Sequence, residues 1–140
     1  MVERREMQEI AKSYDEPIGL NLGSHSALDA WQGQRNQGIR SIIYTTKQRA
    51  RIYLQNPMVG NPGENIVDLP SLVKRDLIVV EDPADIKKKG SWKAAIIVLD
   101  SYEDIVKYVG DLVQLECIQI PNRAFSVYVG GDEYCSVIEK

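Results

Sequence analysis

The sequence predicts an α/β protein: a three-layer sandwich in which helices cover both faces of a mainly parallel sheet. Short apolar runs rich in β-branched residues alternate along the chain with segments of helical periodicity. Most of these runs are apolar throughout, as in strands that are buried on both faces. Because the chain has 140 residues, we expect a single domain that spans residues 1–140.

The first half of the chain is predicted to form a β-α-β-α unit behind an amphipathic helix. Apolar residues from Met7 to Tyr14 have helical spacing, and the helix ends before Pro17. We expect this helix to pack as a lid or an arm. A short apolar strand then leads into a helix over Ser24–Gln37, with Gly38 as its C-terminal cap. Ile39–Thr46 is the second strand, and a basic helix follows it.

The second half is predicted to hold three more strands. Residues 56–70 are rich in proline and glycine, which indicates a loop. Residues 76–88 and 95–107 each begin with an apolar strand and turn into an acidic helix start, the second with Ser101 in a capping box. Residues 117–121 form the last strand, and a short loop or helix follows. The order of elements predicts right-handed crossovers between parallel strands.

Composition excludes several classes of protein. Hydrophobic residues make up 44% of the chain, charged residues 26%, and the formal net charge is -3, so neither disorder nor nucleic-acid binding is indicated. No segment resembles a signal peptide or a membrane span, which predicts a cytoplasmic protein without a membrane partner. Cys117 and Cys135 have neither zinc-site nor C-x-x-C spacing, so we expect both to be reduced, buried thiols.

The charge is unevenly distributed along the chain. No Asp or Glu occurs between Ala30 and Gly63. The same stretch contains Arg35, Arg40, Lys47, Arg49 and Arg51. A locally positive segment favours an anionic ligand, although a solvated basic face would give the same pattern.

The only histidine, His25, stands in a turn between the first strand and its helix. Gly23 allows the backbone to approach a ligand closely, Ser24 and Ser26 offer hydroxyl groups, and His25 can donate to a phosphate. Ligands of open α/β sheets bind beyond the carboxyl ends of the strands, where helix N-termini attract anions. One histidine makes a metal cluster improbable.

Two further polar turns should meet this one at the same edge of the sheet. The candidate binding residues in them are Lys47 and Arg49 after the second strand, and Asn122, Arg123 and Ser126 after the last. Each residue also has a structural explanation. Ser24 can be an N-cap, His25 a surface histidine, and the two basic residues a solvated helix start.

Two stretches, Gly23–Arg49 and Ile120–Gly130, resemble the N-terminal domain of a known family. This is the archaeal formate-dependent 5-formaminoimidazole-4-carboxamide ribonucleotide synthetase family of purine biosynthesis, which belongs to the ATP-grasp enzymes. The likeness rests on a Gly-Ser-His turn that opens the first helix, a basic turn after the second strand, and a Pro and Phe125 after the last, followed by Tyr128 and Gly130. Residues 56–92 have no counterpart and are interpreted as an insertion.

The resemblance implies a pre-ATP-grasp domain with a Rossmann-like sheet. It implies that Gly23, Ser24, His25 and Ser26 face the ligand and that Lys47 with Arg49 forms the basic turn. The domain would bind a phosphorylated ribonucleotide for an ATP-dependent formate ligase of purine (IMP) biosynthesis. No cofactor is expected in this domain, because ATP and Mg belong to C-terminal ATP-grasp domains, which are its expected partners. A homo-oligomer is also among the expected assemblies.

The chain departs from the family pattern in ways that indicate a diverged paralogue. Asn122, Arg123 and Ala124 stand where the family has His-Gly-Ser, and Gln48 replaces a glycine in the basic turn. With 140 residues there is no room for ATP-grasp domains, so we expect the chain alone not to catalyse ligation. Two other functions stay open: a stand-alone module that binds a phosphorylated metabolite without catalysis, and a subunit-interaction domain with a vestigial pocket.

Overall fold

The computed structural model describes residues 3–24, 26–54, 77–88, 92–121 and 128–129. The helices are α1 (Arg4–Ser13), α2 (Ala27–Asn36), α3 (Lys47–Leu54) and α4 (Val109–Gln114). The strands are β1 (Ile18–Leu22), β2 (Ser41–Thr46), β3 (Leu77–Val80), β4 (Ala94–Leu99) and β5 (Cys117–Gln119). Two 3₁₀ segments, Pro83–Asp85 and Tyr102–Tyr108, complete the described elements.

The five strands form one parallel sheet in the order β3-β4-β2-β1-β5. Gly19 of β1 lies opposite Ser41 of β2, and Ser41 lies opposite Ala94 of β4. The α/β, Rossmann-like fold expected from the sequence is therefore confirmed. Helices lie on both faces of the sheet, as the predicted three-layer sandwich requires.

Two apolar cores lie on opposite faces of the sheet, because side chains of a strand alternate between its faces. Ile42 and Tyr44 pack with the 3₁₀ segment Tyr102–Tyr108 and with α4. Ile43 packs on the other face with residues of α2 and α3. Burial of apolar surface on both faces stabilises the middle strands most and holds their carboxyl ends in fixed positions.

A buried polar cluster replaces apolar packing where β1 faces α2. The amide groups of Asn21 and Gln34 donate to each other at 3.1 and 3.0 Å, and the Ser41 hydroxyl donates to Gln34 at 2.5 Å. Gly19 leaves the space that the Gln34 amide fills. The cluster fixes the position of α2 on β1, since each buried polar group would lose a partner if the helix shifted.

Several predicted boundaries need correction. The helix expected from Ser24 begins at Ala27, because the chain makes a turn through Ser24 and Ser26 first. The acidic segment after β3 forms only the 3₁₀ turn Pro83–Asp85, and the segment after β4 is 3₁₀ before it becomes α4. Gly38 ends α2 with a φ of 71°, as predicted for a C-terminal cap.

Helix α1 is present where the sequence predicts it, but none of its residues is buried in the described part of the chain. Met7 and Ile10, on its apolar side, remain 49% and 36% exposed. The predicted role as a lid or an arm therefore stays a prediction. Likewise, Cys117 is a free, partly buried thiol, whereas Cys135 lies outside the described residues.

Candidate functional site

The chain changes direction across the sheet at β1, which makes the carboxyl ends of β1 and β5 the natural crevice for a ligand. From β1 the chain moves to β2 and the strands beyond it, and it returns to the opposite side of β1 only with β5. Helix α2, which leaves β1, lies on one face, and α4, which precedes β5, lies on the other. Ligands of open α/β sheets bind at such topological switch points.

The turn after β1 is held from both faces of the sheet by two phenols. Tyr53 of α3 donates to the carbonyl of Ser24 at 3.0 Å, and Tyr102 donates to the carbonyl of Gly23 at 2.5 Å. We call this pair the tyrosine clamp. Gly23 and Ser24 are themselves buried, so the turn that sequence analysis proposed as a ligand site has a fixed backbone.

Burial raises the pKa of Tyr53 to about 12. Its hydroxyl group is therefore protonated at neutral pH and acts as a donor to Ser24. Each of the two phenols thus satisfies one carbonyl oxygen of the turn.

Gly23 has no room for a side chain. A Cβ atom there would lie 2.7 Å from the Cβ of Thr45 and 2.9 Å from the carbonyl oxygen of Tyr44. The hydroxyl of Thr45 lies at the same place, fully buried, and finds no hydrogen-bond partner among the described residues. A buried hydroxyl without a partner is uncommon in a native fold, and this one lies against the candidate turn.

Helix α2 begins at this turn without a side-chain cap. Ser26 is its N-cap, is exposed, and makes no side-chain capping bond. The alternative interpretation of Ser24 as the N-cap is therefore wrong: Ser24 instead accepts the Ala27 N–H at 3.1 Å through its carbonyl. The first N–H groups of a helix are satisfied by side chains, water or ligands, so the start of α2 can accept an anion.

Arg49 reaches the same region from the first turn of α3. Its guanidinium stacks on the ring of Tyr128 at 5.0 Å and donates to the Tyr128 hydroxyl at 3.3 Å. The ring of Tyr128 lies 5.3 Å from that of Tyr102, the clamp residue. No carboxylate pairs with Arg49 within the described ranges. Its positive charge is thus positioned beside the turn and available to an anionic group.

Lys47, the other member of the predicted basic turn, points to a different place. Its ammonium group pairs with Asp100 at 2.7 Å, at the carboxyl end of β4, and this hydrogen bond raises the pKa of Lys47. Positions 47 and 49 are about 200° apart around a helix, which explains the divergence. The structure therefore brings Arg49, but not Lys47, to the tyrosine clamp.

Lys47 lines a polar cleft beyond the carboxyl ends of β3 and β4. We call this cleft the Lys47 cleft. It has a volume of about 200 Å³. Its polar lining consists of Lys47, Glu81, Asp100, Asp104, Lys107 and Tyr108, with Val98 and Leu99 completing it. Asp104 is fully engaged there: it accepts the Ser101 N–H at 3.0 Å, as the predicted capping box requires, and pairs with Lys107 at 2.5 Å.

Four candidate residues, His25, Asn122, Arg123 and Ser126, lie outside the described residues. Their part in the site stays a prediction. Within the described ranges, no three His, Cys, Asp or Glu side chains are grouped so that they could hold a metal ion. No helix in the same ranges is long and apolar enough to cross a membrane.

Comparison with known proteins identifies the family. The model of the family described as "protein of unknown function (DUF1246)" matches residues 20–138. The chain belongs to this family. It is also 25% identical, over 139 residues, to the 5-formaminoimidazole-4-carboxamide-1-(beta)-D-ribofuranosyl 5'-monophosphate synthetase of Methanococcoides burtonii. That alignment covers 98% of this chain but only 30% of the relative.

These matches confirm the resemblance that was drawn from the sequence. The DUF1246 region includes both stretches on which the resemblance rests and also residues 56–92, which sequence analysis interpreted as an insertion. The chain spans about 30% of the length of the archaeal synthetase, an extent consistent with one domain of that enzyme. The activity of the whole synthetase belongs to that relative.

Three tyrosines of the site, Tyr44, Tyr53 and Tyr102, were not predicted, and Tyr128 was noted only through the resemblance. Tyr44, Tyr53, Tyr102 and Tyr128 all lie around Gly23 and Arg49, and the ring of Tyr44 meets that of Tyr102 edge-on at 6.3 Å. A signal for them was present, because the chain has seven tyrosines and one phenylalanine. Phenols in otherwise apolar core positions indicate hydroxyl groups that need buried partners.

Proposed function

We propose that this domain binds a phosphorylated ribonucleotide beyond the carboxyl end of β1, with the phosphate between the start of α2 and Arg49. The position of the Arg49 guanidinium carries the proposal. It lies beside the clamped turn, stacks on Tyr128, and has no carboxylate partner within the described ranges. Arginine with helix N–H groups is a common arrangement for binding phosphate.

The charges at the start of α3 support an anion site in the same region. Lys47 and Arg49 occupy the first turn of this helix, which contains no acidic residue. Cations near a helix N-terminus oppose the helix dipole and so lower the stability of the helix. Residues that lower the stability of a helix are expected where binding requires them. A bound phosphate would offset this unfavourable interaction between the cations and the helix dipole.

The second part of the proposal is that this domain functions as part of a ligase. We propose that the domain holds the ribonucleotide for ATP-dependent ligation of formate in purine biosynthesis, and that further ATP-grasp domains supply ATP and Mg. Support comes from the resemblance of residues 23–49 and 120–130 and from the archaeal synthetase, of which the chain matches 30%. On its own, the domain is proposed to bind the nucleotide without catalysis.

Calorimetric titration with aminoimidazole carboxamide ribonucleotide tests the binding. Arg49→Ala should weaken the affinity by about tenfold or more, because a charge-assisted hydrogen bond contributes about 1.5–3 kcal/mol. Arg51→Ala is the matched control, since Arg51 is an exposed cation on the same helix and the variant has the same net charge. Equal affinities of the two variants for the ribonucleotide would show that Arg49 does not bind its phosphate.

The alternative function, a stand-alone binding module, predicts the same result in this titration. Enzyme kinetics distinguish it from the ligase function. If this domain serves a ligase, Arg49→Ala in a chain that also carries ATP-grasp domains should raise the KM for the ribonucleotide without a comparable change in the KM for ATP. Formation of the formylated product would be followed by chromatography. An unchanged KM for the ribonucleotide would contradict the ligase role of this site.

A further inference from the structure

We propose that the Lys47 cleft holds the ribose of the ribonucleotide whose phosphate lies beside Arg49. The inference rests on the proposed function, because it needs the phosphate site as its other end. It extends that site to a second group of residues, Asp100 and Glu81, which follow β4 and β3.

The position of the cleft fits one ligand that spans both places. In the sheet, β2 lies between β4 and β1. Neighbouring strands are about 4.8 Å apart, so the ends of β4 and β1 are separated by roughly 10 Å. Ribose 5-phosphate covers that distance when its phosphate oxygens and its 2',3'-diol each make a hydrogen bond at opposite ends of the molecule. The first turn of α3 follows β2 directly and so lies between the two ends, with Arg49 directed to one and Lys47 to the other.

The charges of the cleft favour a neutral hydroxyl-rich group over a phosphate. Three carboxylates and two ammonium groups line it, which leaves one net negative charge that would repel an anion. Ionised carboxylates only accept hydrogen bonds, and a ribose diol presents two neighbouring donors. The cleft volume of about 200 Å³ is below the ~300–1,000 Å³ typical of pockets for drug-sized ligands, so it suits one ring.

Asp100 is the carboxylate best placed to accept the sugar hydroxyls. Its side chain is 80% exposed, and Lys47 holds it at 2.7 Å, so the carboxylate is positioned while other lone pairs stay accessible. Asp104 differs, because Ser101 and Lys107 already occupy its two oxygens. The Lys47 ion pair thus positions Asp100, which makes Lys47 a positioning residue for the sugar.

The experiment compares two ligands on the same protein. Inorganic phosphate and ribose 5-phosphate are titrated calorimetrically into the wild-type chain, Asp100→Asn and the control Glu103→Gln. Glu103 is an exposed acid on the same 3₁₀ segment that does not line the cleft. We expect wild type and Glu103→Gln to prefer ribose 5-phosphate by about tenfold. Asp100→Asn should lose most of that preference while its affinity for inorganic phosphate stays the same or rises.

The outcomes separate the two proposals. Equal binding of both ligands by wild type, or an unchanged preference in Asp100→Asn, would overturn the ribose subsite and leave the phosphate site intact. Failure of wild type to bind either ligand would overturn both. A ratio of affinities measured within one variant does not depend on the folded fraction, so a modest loss of stability in Asp100→Asn cannot imitate the expected result.

Discussion

At the scale of single residues, two glycines illustrate opposite constraints. Gly23→Ala should destabilise the protein by about 1–3 kcal/mol, because the new methyl group would overlap Thr45 and the Tyr44 carbonyl, neither of which can move without disturbing β2. Gly33 lies in α2 with open space around it. Gly33→Ala should therefore stabilise by about 0.5–1 kcal/mol, the gain of helix propensity.

Urea denaturation of both variants tests this pair. If Gly23→Ala unfolded at the wild-type urea concentration, the close approach between the β1–α2 turn and Thr45 would be wrong. The position of Gly23 between a strand and a helix predicts a close approach of its backbone, which was expected to serve a ligand. The neighbour that excludes a side chain is Thr45, a contact between distant parts of the chain that no local pattern contains.

At the scale of secondary-structure elements, the tyrosine clamp joins α3 and the Tyr102–Tyr108 segment to the turn after β1. Tyr102→Phe should cost about 1–3 kcal/mol, because it leaves the buried Gly23 carbonyl without its phenol donor. Tyr53→Phe should cost less, since the Ser24 carbonyl keeps the Ala27 N–H as a donor. Urea denaturation measures both, with Tyr14→Phe as a partly exposed control. The reverse order of costs would contradict this account of the clamp.

The same elements show what periodicity can and cannot predict. Strands β1, β2 and β4 were predicted within a few residues because they are continuous apolar runs that are covered on both faces. The start of α2 and the 3₁₀ turn Pro83–Asp85 were not predicted. Their conformations depend on tertiary bonds such as those of the clamp, which override local helix signals.

At the scale of the whole molecule, the candidate site follows from strand order. The sequence indicates parallel strands, but it does not state that β4 inserts between β3 and β2 or that β5 lies beyond β1. From the sequence alone, Lys47 and Arg49 are predicted to form one basic turn at a single site. With the observed strand order, Arg49 lies toward the switch point and Lys47 toward β4, so two neighbouring cations can contact different parts of one ligand.

The pH dependence of stability also belongs to the whole molecule. Pairing with Lys107 lowers the pKa of Asp104, and pairing with Lys88 lowers that of Glu116. A carboxylate with a lowered pKa stabilises the fold above its unfolded-state value, near 3.8 for Asp and 4.5 for Glu, and this stability is lost as the pH falls through the folded-state pKa. We therefore expect the free energy of unfolding to decrease as the pH is lowered below about 5.

The alkaline side has the opposite sign. Burial raises the pKa of Tyr53 from 10.0 and that of Cys117 from 9.0, both to about 12. A group with a raised pKa stabilises the fold fully below its unfolded-state value, and the contribution is lost as the pH rises toward 12. Stability should thus be highest between about pH 5 and 8 and should decline above pH 9.

Single substitutions test how much Glu116 contributes to the loss of stability at low pH (the acid limb) and how much Tyr53 contributes to the loss at high pH (the alkaline limb). Glu116→Gln should flatten the acid limb, because it removes the carboxylate that pairs with Lys88. The φ of residue 116 is 58°, and since glutamine has the same Cβ as glutamate, the substitution should add no backbone strain. Tyr53→Phe should flatten the alkaline limb between pH 10 and 11, although its stability at neutral pH is lower because the hydrogen bond to Ser24 is lost. Urea midpoints measured from pH 3 to 11 at fixed ionic strength, within the range where unfolding is reversible, provide the comparison. An alkaline limb as steep in Tyr53→Phe as in wild type would show that the clamp phenol is not buried in its protonated form, and the fixed backbone of the β1–α2 turn would lose one of its two supports.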